Sequence, residues 1–246
     1  MSDYLNDLEL FWDEFAEEYE TIQQESTFPI AEDLRDFLVE ESILPCRTFL
    51  DLAGGSGRYL LPLQKYVKNY DLVDISEEML KLAAAKAASN VQLIKQDQHT
   101  FLSRTKQQYD LVFSAMNPAL QTENDLLAFC KASREWCLIL RVVKEEDSLF
   151  SPFEEASPDL LLNIRYKTFL KEWRIPYRTK RFSYVKNEEI SREFFQEYFA
   201  DDFSFTKLTE LTEKIFGDVD HKSTQQVLDF ELIYFQVPKA YNKNGF

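Results

Sequence analysis

The stretch Phe49-Leu50-Asp51-Leu52-Ala53-Gly54-Gly55-Ser56-Gly57-Arg58 decides the fold, and it holds three of the chain's five glycines within four residues. At the usual frequency a chain of 246 residues would carry about 17 glycines. A sequence this sparing places glycine where the backbone must bend tightly and let something come close, because glycine lacks a Cβ and tolerates positive φ. An apolar run ending in an acid precedes the cluster. A helical pattern, Arg58-Tyr59-Leu60-Leu61-Pro62-Leu63-Gln64-Lys65-Tyr66, follows it. The reading is strand, sharp turn and helix, with the helix's unpaired N–H groups and positive dipole end facing the turn.

The pattern repeats downstream. A strand over 48–52 and a helix over 58–67 are followed by a second strand, Tyr70-Asp71-Leu72-Val73-Asp74-Ile75. Ser76 is a good N-cap for an alanine-rich helix running to about Ser89, with Glu77 and Glu78 in its first turn. Strands over 91–94, 109–114 and 136–143 follow, and Thr122-Glu123-Asn124-Asp125 is a capping box opening a helix to about Ser133. Such alternation predicts a parallel sheet covered on both faces. Upstream, Leu5, Leu8, Trp12, Phe15 and Tyr19 recur at steps of three and four, one face of an amphipathic helix. That helix either docks its stripe on the core or forms a lid with Trp12 or Tyr19 on a ligand. A second helix covers 30–39. Beyond 145 the expected elements are a helix over 160–173, a strand over 178–185, helices near 188–200 and 205–216, and a final strand over 226–237. The expected layout is one domain: helical lid 1–45, ligand-binding half 46–145, partial cap insertion 146–180, sheet completion 181–246.

Composition excludes several classes. The chain has 43 acids against 28 bases, a formal net charge of −15, which weighs against attraction to phosphate backbones. Cys46, Cys130 and Cys137 form no CxxC or CxxH spacing, so no disulfide and no metal site are expected, as for reduced thiols in a cytoplasmic protein. No apolar run reaches the length of a membrane span, and the acidic start lacks a signal peptide's basic residues.

Chemistry belongs at the carboxyl ends of the strands, where open α/β sheets bind ligands. Asp51, Asp74 and Asp97 stand at three such ends. Asp74 can accept hydrogen bonds from both hydroxyls of a ribose lying across the glycine turn, and Asp97 can accept one from an adenine amino group. The third glycine of GxGxxG is absent, since Leu60 stands there, and no lysine follows the glycines as a phosphate loop would need. Asp51 beside the turn repels a pyrophosphate and welcomes a cation. An adenosine carrying positive charge and no phosphate fits: S-adenosylmethionine, with its sulfonium and ammonium.

At these residues the chain resembles the class I S-adenosylmethionine-dependent methyltransferases of small-molecule type. Asp51 to Arg58 is similar to their first motif, Val73-Asp74-Ile75-Ser76-Glu77-Glu78-Met79-Leu80 to their second, and Asn90 to Asp97 to their third. Tyr109 to Ser114 is similar to the strand before the transfer site, and Phe11 to Tyr19 to the lid helix. The resemblance implies an α/β, Rossmann-like sheet of seven mostly parallel strands with helices on both faces. It also implies that Ala53, Gly54, Gly55 and Gly57 line the methionine and ribose. Ile75 and Met79 would then flank the adenine, with Asp97 and Gln98 at its edge and Ser114 on the methionine amine. Ala53 departs from the family's usual glycine.

Methyl transfer is an in-line displacement on an activated sulfonium, so positioning suffices and no general base is nominated. Asn117-Pro118-Ala119-Leu120 reads as a structural turn with Asn117 as a candidate substrate contact. The run from Lys167 to Arg181 is basic and interleaved with aromatics. It makes Trp173, Arg174 and Tyr177 candidates for an anionic or aromatic acceptor, or the patch of an RNA or protein methyltransferase. A cofactor-binding regulator without activity is the alternative of another class. His99 and His221 are expected to be structural and solvent-exposed, respectively.

Overall fold

The computed structural model describes residues 2–155 and 157–238. Around the glycine cluster, β1 (Cys46–Leu52) pairs with β2 (Val67–Asp74) on one side and β4 (Tyr109–Ala115) on the other. Beyond them lie β3 (Val91–Lys95), β5 (Ser133–Asp147), β6 (Arg178–Ser191) and β7 (His221–Gln236), in the order β3-β2-β1-β4-β5-β7-β6. The first five pair in parallel. Val237 N donates to Glu135 O at 2.8 Å and Ser148 N to Gln225 O at 3.0 Å, so β7 runs antiparallel to β5. The fold is the Rossmann-like, mostly parallel, seven-stranded α/β sheet. Strand order reverses between β1 and β4, and a crevice forms at such a point in open sheets. The glycine turn sits there.

The helices are α1 (Ser2–Glu25), α2 (Ile30–Glu40), α3 (Leu60–Leu63), α4 (Glu77–Ala84), α5 (Gln98–Arg104), α6 (Glu123–Ala132), α7 (Leu162–Glu172), α8 (Arg192–Tyr198) and α9 (Phe205–Phe216). Two are shorter than the periodicity predicts. The helix after the turn is one α-helical turn, α3, followed by a 3₁₀ turn over Gln64–Tyr66. The alanine-rich helix stops at Ala84, well short of Ser89. Gln64 accounts for the second ending, because its side chain donates to Lys86 O and accepts from Ala88 N, pairing backbone groups the longer helix would have used. Helix α5 is an addition, capped by Asp97, whose carboxylate accepts from Thr100 N at 2.9 Å. The expected cap at Thr122 is present in full: its hydroxyl accepts from Asp125 N while Asp125 accepts from Thr122 N.

The chain divides into two compact units, Met1–Arg141 with Pro158–Phe182 and Phe230–Phe246, and Val142–Ser157 with Ser183–Asp229. These boundaries differ from a cap insertion over 146–180. Strands β5, β6 and β7 are each longer than their apolar cores and pass from the first unit into the second. Their outer halves, such as Lys144-Glu145-Glu146-Asp147, are polar and carry no hydrophobic signal. The second unit is organised on an aromatic cluster of Phe150, Phe195, Phe199 and Phe216. In the first, the core packs Leu50, Leu52, Val112 and Ile139 of the central strands against Leu126, Phe129, Tyr166 and Leu170 of α6 and α7.

Candidate functional site

Three glycines in one turn have three different tasks. At Gly54 a Cβ would lie 2.6 Å from the Leu72 side chain, so glycine there lets the turn press against β2. Gly57 has a φ of 79°, and a Cβ on it would meet Leu60 at 2.6 Å. Gly55 (φ 54°) faces the crevice, where the nearest atoms to an added Cβ would be Met79 sulfur at 3.9 Å and the Tyr19 ring at 4.0 Å. Ala53 takes a φ of 56° without being glycine, a conformation that L side chains adopt at a cost.

Asp74 fastens this turn to the next strand. One carboxylate oxygen accepts from Gly55 N at 2.8 Å and the other from Ser76 N at 3.0 Å. Burial raises its pKa above the ordinary carboxylate value, opposed by the N–H groups of Ser76 and Gly55. Each oxygen keeps a lone pair for a further donor. Asp97 is pushed the other way. Burial raises its pKa, but hydrogen bonds from Thr100 outweigh it and hold the group below its usual value.

These residues border a cavity of about 320 Å³ at the carboxyl ends of β1, β2, β3 and β4. Its walls include Ala53, Gly55, Asp74, Ile75, Met79, Asp97 and Gln98, all seven nominated from sequence. Leu5, Leu8, Trp12 and Tyr19 of α1 form another side, so the apolar stripe serves as a roof. Polar ties hold α1 there. Asp13 accepts from Ser76 Oγ at 2.6 Å, Lys95 pairs with Glu9 at 2.8 Å, and Lys86 pairs with Glu20 at 2.7 Å while donating to Ser56 O. Residues 115–119 and the opening of α6 close the remaining side. The wall contains Asp74, Asp97, Asp125 and His99, and neither lysine nor arginine.

Several nominated residues lie elsewhere. Asp51 is buried beneath the turn, where it accepts from the Tyr70 hydroxyl at 2.7 Å, and it is not part of the cavity wall. Burial pushes its pKa up to about 7, partly offset by the Tyr70 hydrogen bond, so it does not present the fixed charge the sequence suggested. Gly54, Gly57 and Ser114 also stand behind the wall. Ser114 donates to Leu52 O and accepts from Asn117 Nδ2 at 3.0 Å. Asn117 does reach the cavity, but its amide is committed: Nδ2 donates to Gln98 Oε1 and Ser114 Oγ, and Oδ1 accepts from Ala119 N. It braces the loop that forms the wall.

Trp173, Arg174 and Tyr177 are not in that wall. Trp173 borders a second cavity of about 400 Å³, with Lys106, Gln107, Ser133 and Val237. Those residues precede β4, open β5 and follow β7, which places this cavity at the amino edge of the parallel strands. The basic run is also spent internally. Lys167 pairs with Glu231 at 2.5 Å, and Arg178 pairs with Glu41 at 2.9 Å and covers the Tyr234 ring. Lys180 lies over Phe37. Lys171, Arg174 and Arg181 of the run are exposed.

Sequence reasoning left out Met116, Gln121, Thr122 and Asp125 as wall residues, and put His99 near the cofactor edge only as a structural residue. His99 lies 3.5 Å from Asp125, with its side chain more than half exposed. Met116 carried no signal, since its left-handed φ of 52° is set by the turn that Asn117 braces. Among the described residues no group of histidines, cysteines and acids could hold a metal, and no helix is long and apolar enough to cross a membrane. Cys46, Cys130 and Cys137 are free thiols.

A crevice at the strand-order switch, a glycine turn and acids on the next two strands meet at this cavity. Residues 49–137 match the family model described as methyltransferase domain. No curated protein matches by sequence. Among solved structures, the chain is similar to magnesium protoporphyrin IX methyltransferase from Synechocystis, with bound S-adenosylhomocysteine (14% identity, TM-score 0.47, 85% of this chain and 82% of that one). It is also similar to a precorrin 8W decarboxylase from Methanobacterium thermoautotrophicum (12%, 0.48, 82% and 89%). A third is the YcgJ protein from Bacillus subtilis (11%, 0.48, 81% and 97%).

Proposed function

We propose that this protein is an enzyme that transfers the methyl group of S-adenosylmethionine to a small-molecule acceptor in the cytoplasm. One observation carries the reading: two carboxylates, Asp74 and Asp97, stand on adjacent strand ends in a cavity wall that holds no lysine or arginine. Such a wall suits an uncharged nucleoside with a cationic tail and repels a pyrophosphate.

The residues present fit that cofactor. Asp74 has acceptor capacity left for the ribose hydroxyls, Ile75 and Met79 offer apolar faces to the adenine, and Asp97 and Gln98 lie at its edge. Gln98 Nε2 is already bonded to Ala119 O at 2.6 Å, so its part is to shape the edge. Gly55 leaves room against the turn, and Tyr19 covers the ribose side from α1. When bound, S-adenosylmethionine supplies a methyl carbon on a sulfonium, which leaves as a neutral thioether when an acceptor lone pair attacks from the opposite side.

The chain's own contribution is placement and exclusion of water. The roof of Leu5, Leu8 and Trp12 is apolar, and the ties from Glu9, Asp13 and Glu20 keep it over the cavity. Bringing two reactants into line in a closed site supplies most of the acceleration such a displacement needs. A small acceptor accords with the roofed cavity and with the net charge of −15. The test is calorimetry with S-adenosylhomocysteine, followed by a methyl-transfer screen over small molecules. Binding with turnover of a small acceptor supports the proposal. Binding with no turnover on any acceptor points to a cofactor-sensing protein, and turnover only on RNA or protein overturns the acceptor class.

A further inference from the structure

Arg141 interrupts the apolar run of β5, Trp136-Cys137-Leu138-Ile139-Leu140-Arg141-Val142, at the carboxyl end of the strand. It is 2% exposed. Burying a guanidinium is costly unless its N–H groups are matched. One terminal nitrogen, Nη1, donates to Asn117 O at 2.8 Å, and the other, Nη2, donates to Asp159 at 3.2 Å. The Tyr166 hydroxyl lies within hydrogen-bonding reach of the group. Nε, buried, has no partner.

We propose that the Nε/Nη2 edge of Arg141 grips the carboxylate of the methyl acceptor, so that the enzyme's substrates are carboxylic acids; this rests on the methyl-transfer reading above. The guanidinium is oriented for that task. Its Nη1 side is held by the carbonyl of Asn117, a residue of the cavity wall, so the unmatched nitrogen lies on the other side. Nε and Nη2 together form a fork that matches the two oxygens of a carboxylate. Asp159 meets this fork on one tine only, from the 3₁₀ turn Pro158–Leu161, with its side chain about half exposed. A carboxylate engaging both tines satisfies the nitrogen that Asp159 leaves unmatched, so Asp159 acts as an exchangeable placeholder.

The other buried acid near this end, Glu231, is already held by Lys167 at 2.5 Å and Asn163 at 3.1 Å, and does not compete. Leu161 and Ile164 are exposed on the turn and helix that carry Asp159 and Tyr166. Met116, adjacent to Asn117, is partly exposed in a left-handed conformation, the kind of strain found at binding sites.

A carboxylate could also come from the methionine end of the cofactor, so the experiment has arms for both sources. Thermal unfolding is followed in sodium acetate and in sodium chloride at equal ionic strength, for wild type, Asp159→Asn and Asp159→Asn/Arg141→Gln. Acetate is expected to raise the midpoint of Asp159→Asn by several degrees over chloride, wild type by less, and the double variant not at all. An Asp159→Asn protein with no preference for acetate overturns the proposal. The acetate effect is then repeated with saturating S-adenosylhomocysteine and with 5′-methylthioadenosine, which lacks the carboxylate. An effect that persists beside both supports an acceptor site, whereas an effect abolished by S-adenosylhomocysteine alone assigns the edge to the cofactor and overturns it. Failure of both nucleosides to bind would sink the methyl-transfer reading instead, and the acetate comparison would still report on the anion site.

Discussion

The sheet of the first unit has a cavity at each edge, and the two differ in how their polar groups are held. At the amino edge about 400 Å³ is bordered by Lys106, Leu127, Trp173 and Phe235. At the carboxyl edge about 320 Å³ is bordered by polar groups that are mutually fixed before any ligand arrives: Asp74 on two backbone N–H groups, Asn117 on Gln98 and Ser114, Asp97 on Thr100. Volume does not separate the two. Pre-organised polar atoms with acceptor capacity to spare, set at a reversal of strand order, do.

The comparison breaks most readily at Asp74. Asp74→Ala removes the ribose acceptor and the clasp on Gly55 and Ser76. S-adenosylhomocysteine affinity is expected to fall at least tenfold, about 1.4–3 kcal/mol, measured by calorimetry. Trp173→Ala at the other edge is expected to leave that affinity unchanged. An equal loss in both variants would erase the distinction between the edges.

Next in size is Gly57→Ala. A side chain at φ 79° and 2.6 Å from Leu60 forces the turn or α3 to move. The expected cost is about 1–3 kcal/mol of folding stability by denaturant unfolding. Gly55→Ala meets no atom closer than 3.9 Å, so steric crowding adds nothing to its backbone strain. It should cost less stability than Gly57→Ala while impairing cofactor binding more.

Asp51 gives a pH signature. Its folded pKa of about 7 lies above the unfolded value, so between those two values the native state holds more protons than the unfolded one. By linkage its contribution to stability falls as pH rises through that interval and is level above it. The slope approaches about 1.4 kcal/mol per pH unit at most. Asp51→Asn should remove that decline, and parallel unfolding curves for the two proteins from pH 5 to 7 would refute the assignment. The smallest effect is Ala53→Gly, which relieves a φ of 56° and should stabilise by about 0.5–1 kcal/mol.

Much of the carboxyl edge was legible because its signals are local. The glycine cluster, the acids ending β2 and following β3, and the caps at Ser76 and Thr122 each act through residues a few positions apart. Seven of the residues nominated for the cofactor stand in the cavity wall together with Tyr19. Asp51, Gly54, Gly57 and Ser114 were harder to place, since proximity in sequence to a turn does not say on which side of it a side chain falls. Asp51 faces Tyr70 on the neighbouring strand, a contact across 19 positions.

The basic run is less free than its charge count suggests, for a related reason. Charge counted along the chain ignores the acids that tertiary structure brings to it, here Glu41 and Glu231. The polar ends of β5, β6 and β7 hid strand residues because what ties them is polar, such as Thr224 on Asp147 and Gln225 on Asn187. Arg141 did leave a trace, as the single charge between Trp136 and Val143, but its meaning depends on Asn117 and Asp159 reaching it from 24 and 18 residues away.

The most direct measurement is calorimetric titration of the purified protein with S-adenosylhomocysteine, beside NAD and ATP as phosphate-bearing controls. Saturable one-to-one binding of S-adenosylhomocysteine, weakened at least tenfold by Asp74→Ala and absent for both controls, is the predicted result. Binding of either phosphate-bearing nucleotide in preference to S-adenosylhomocysteine would contradict the account.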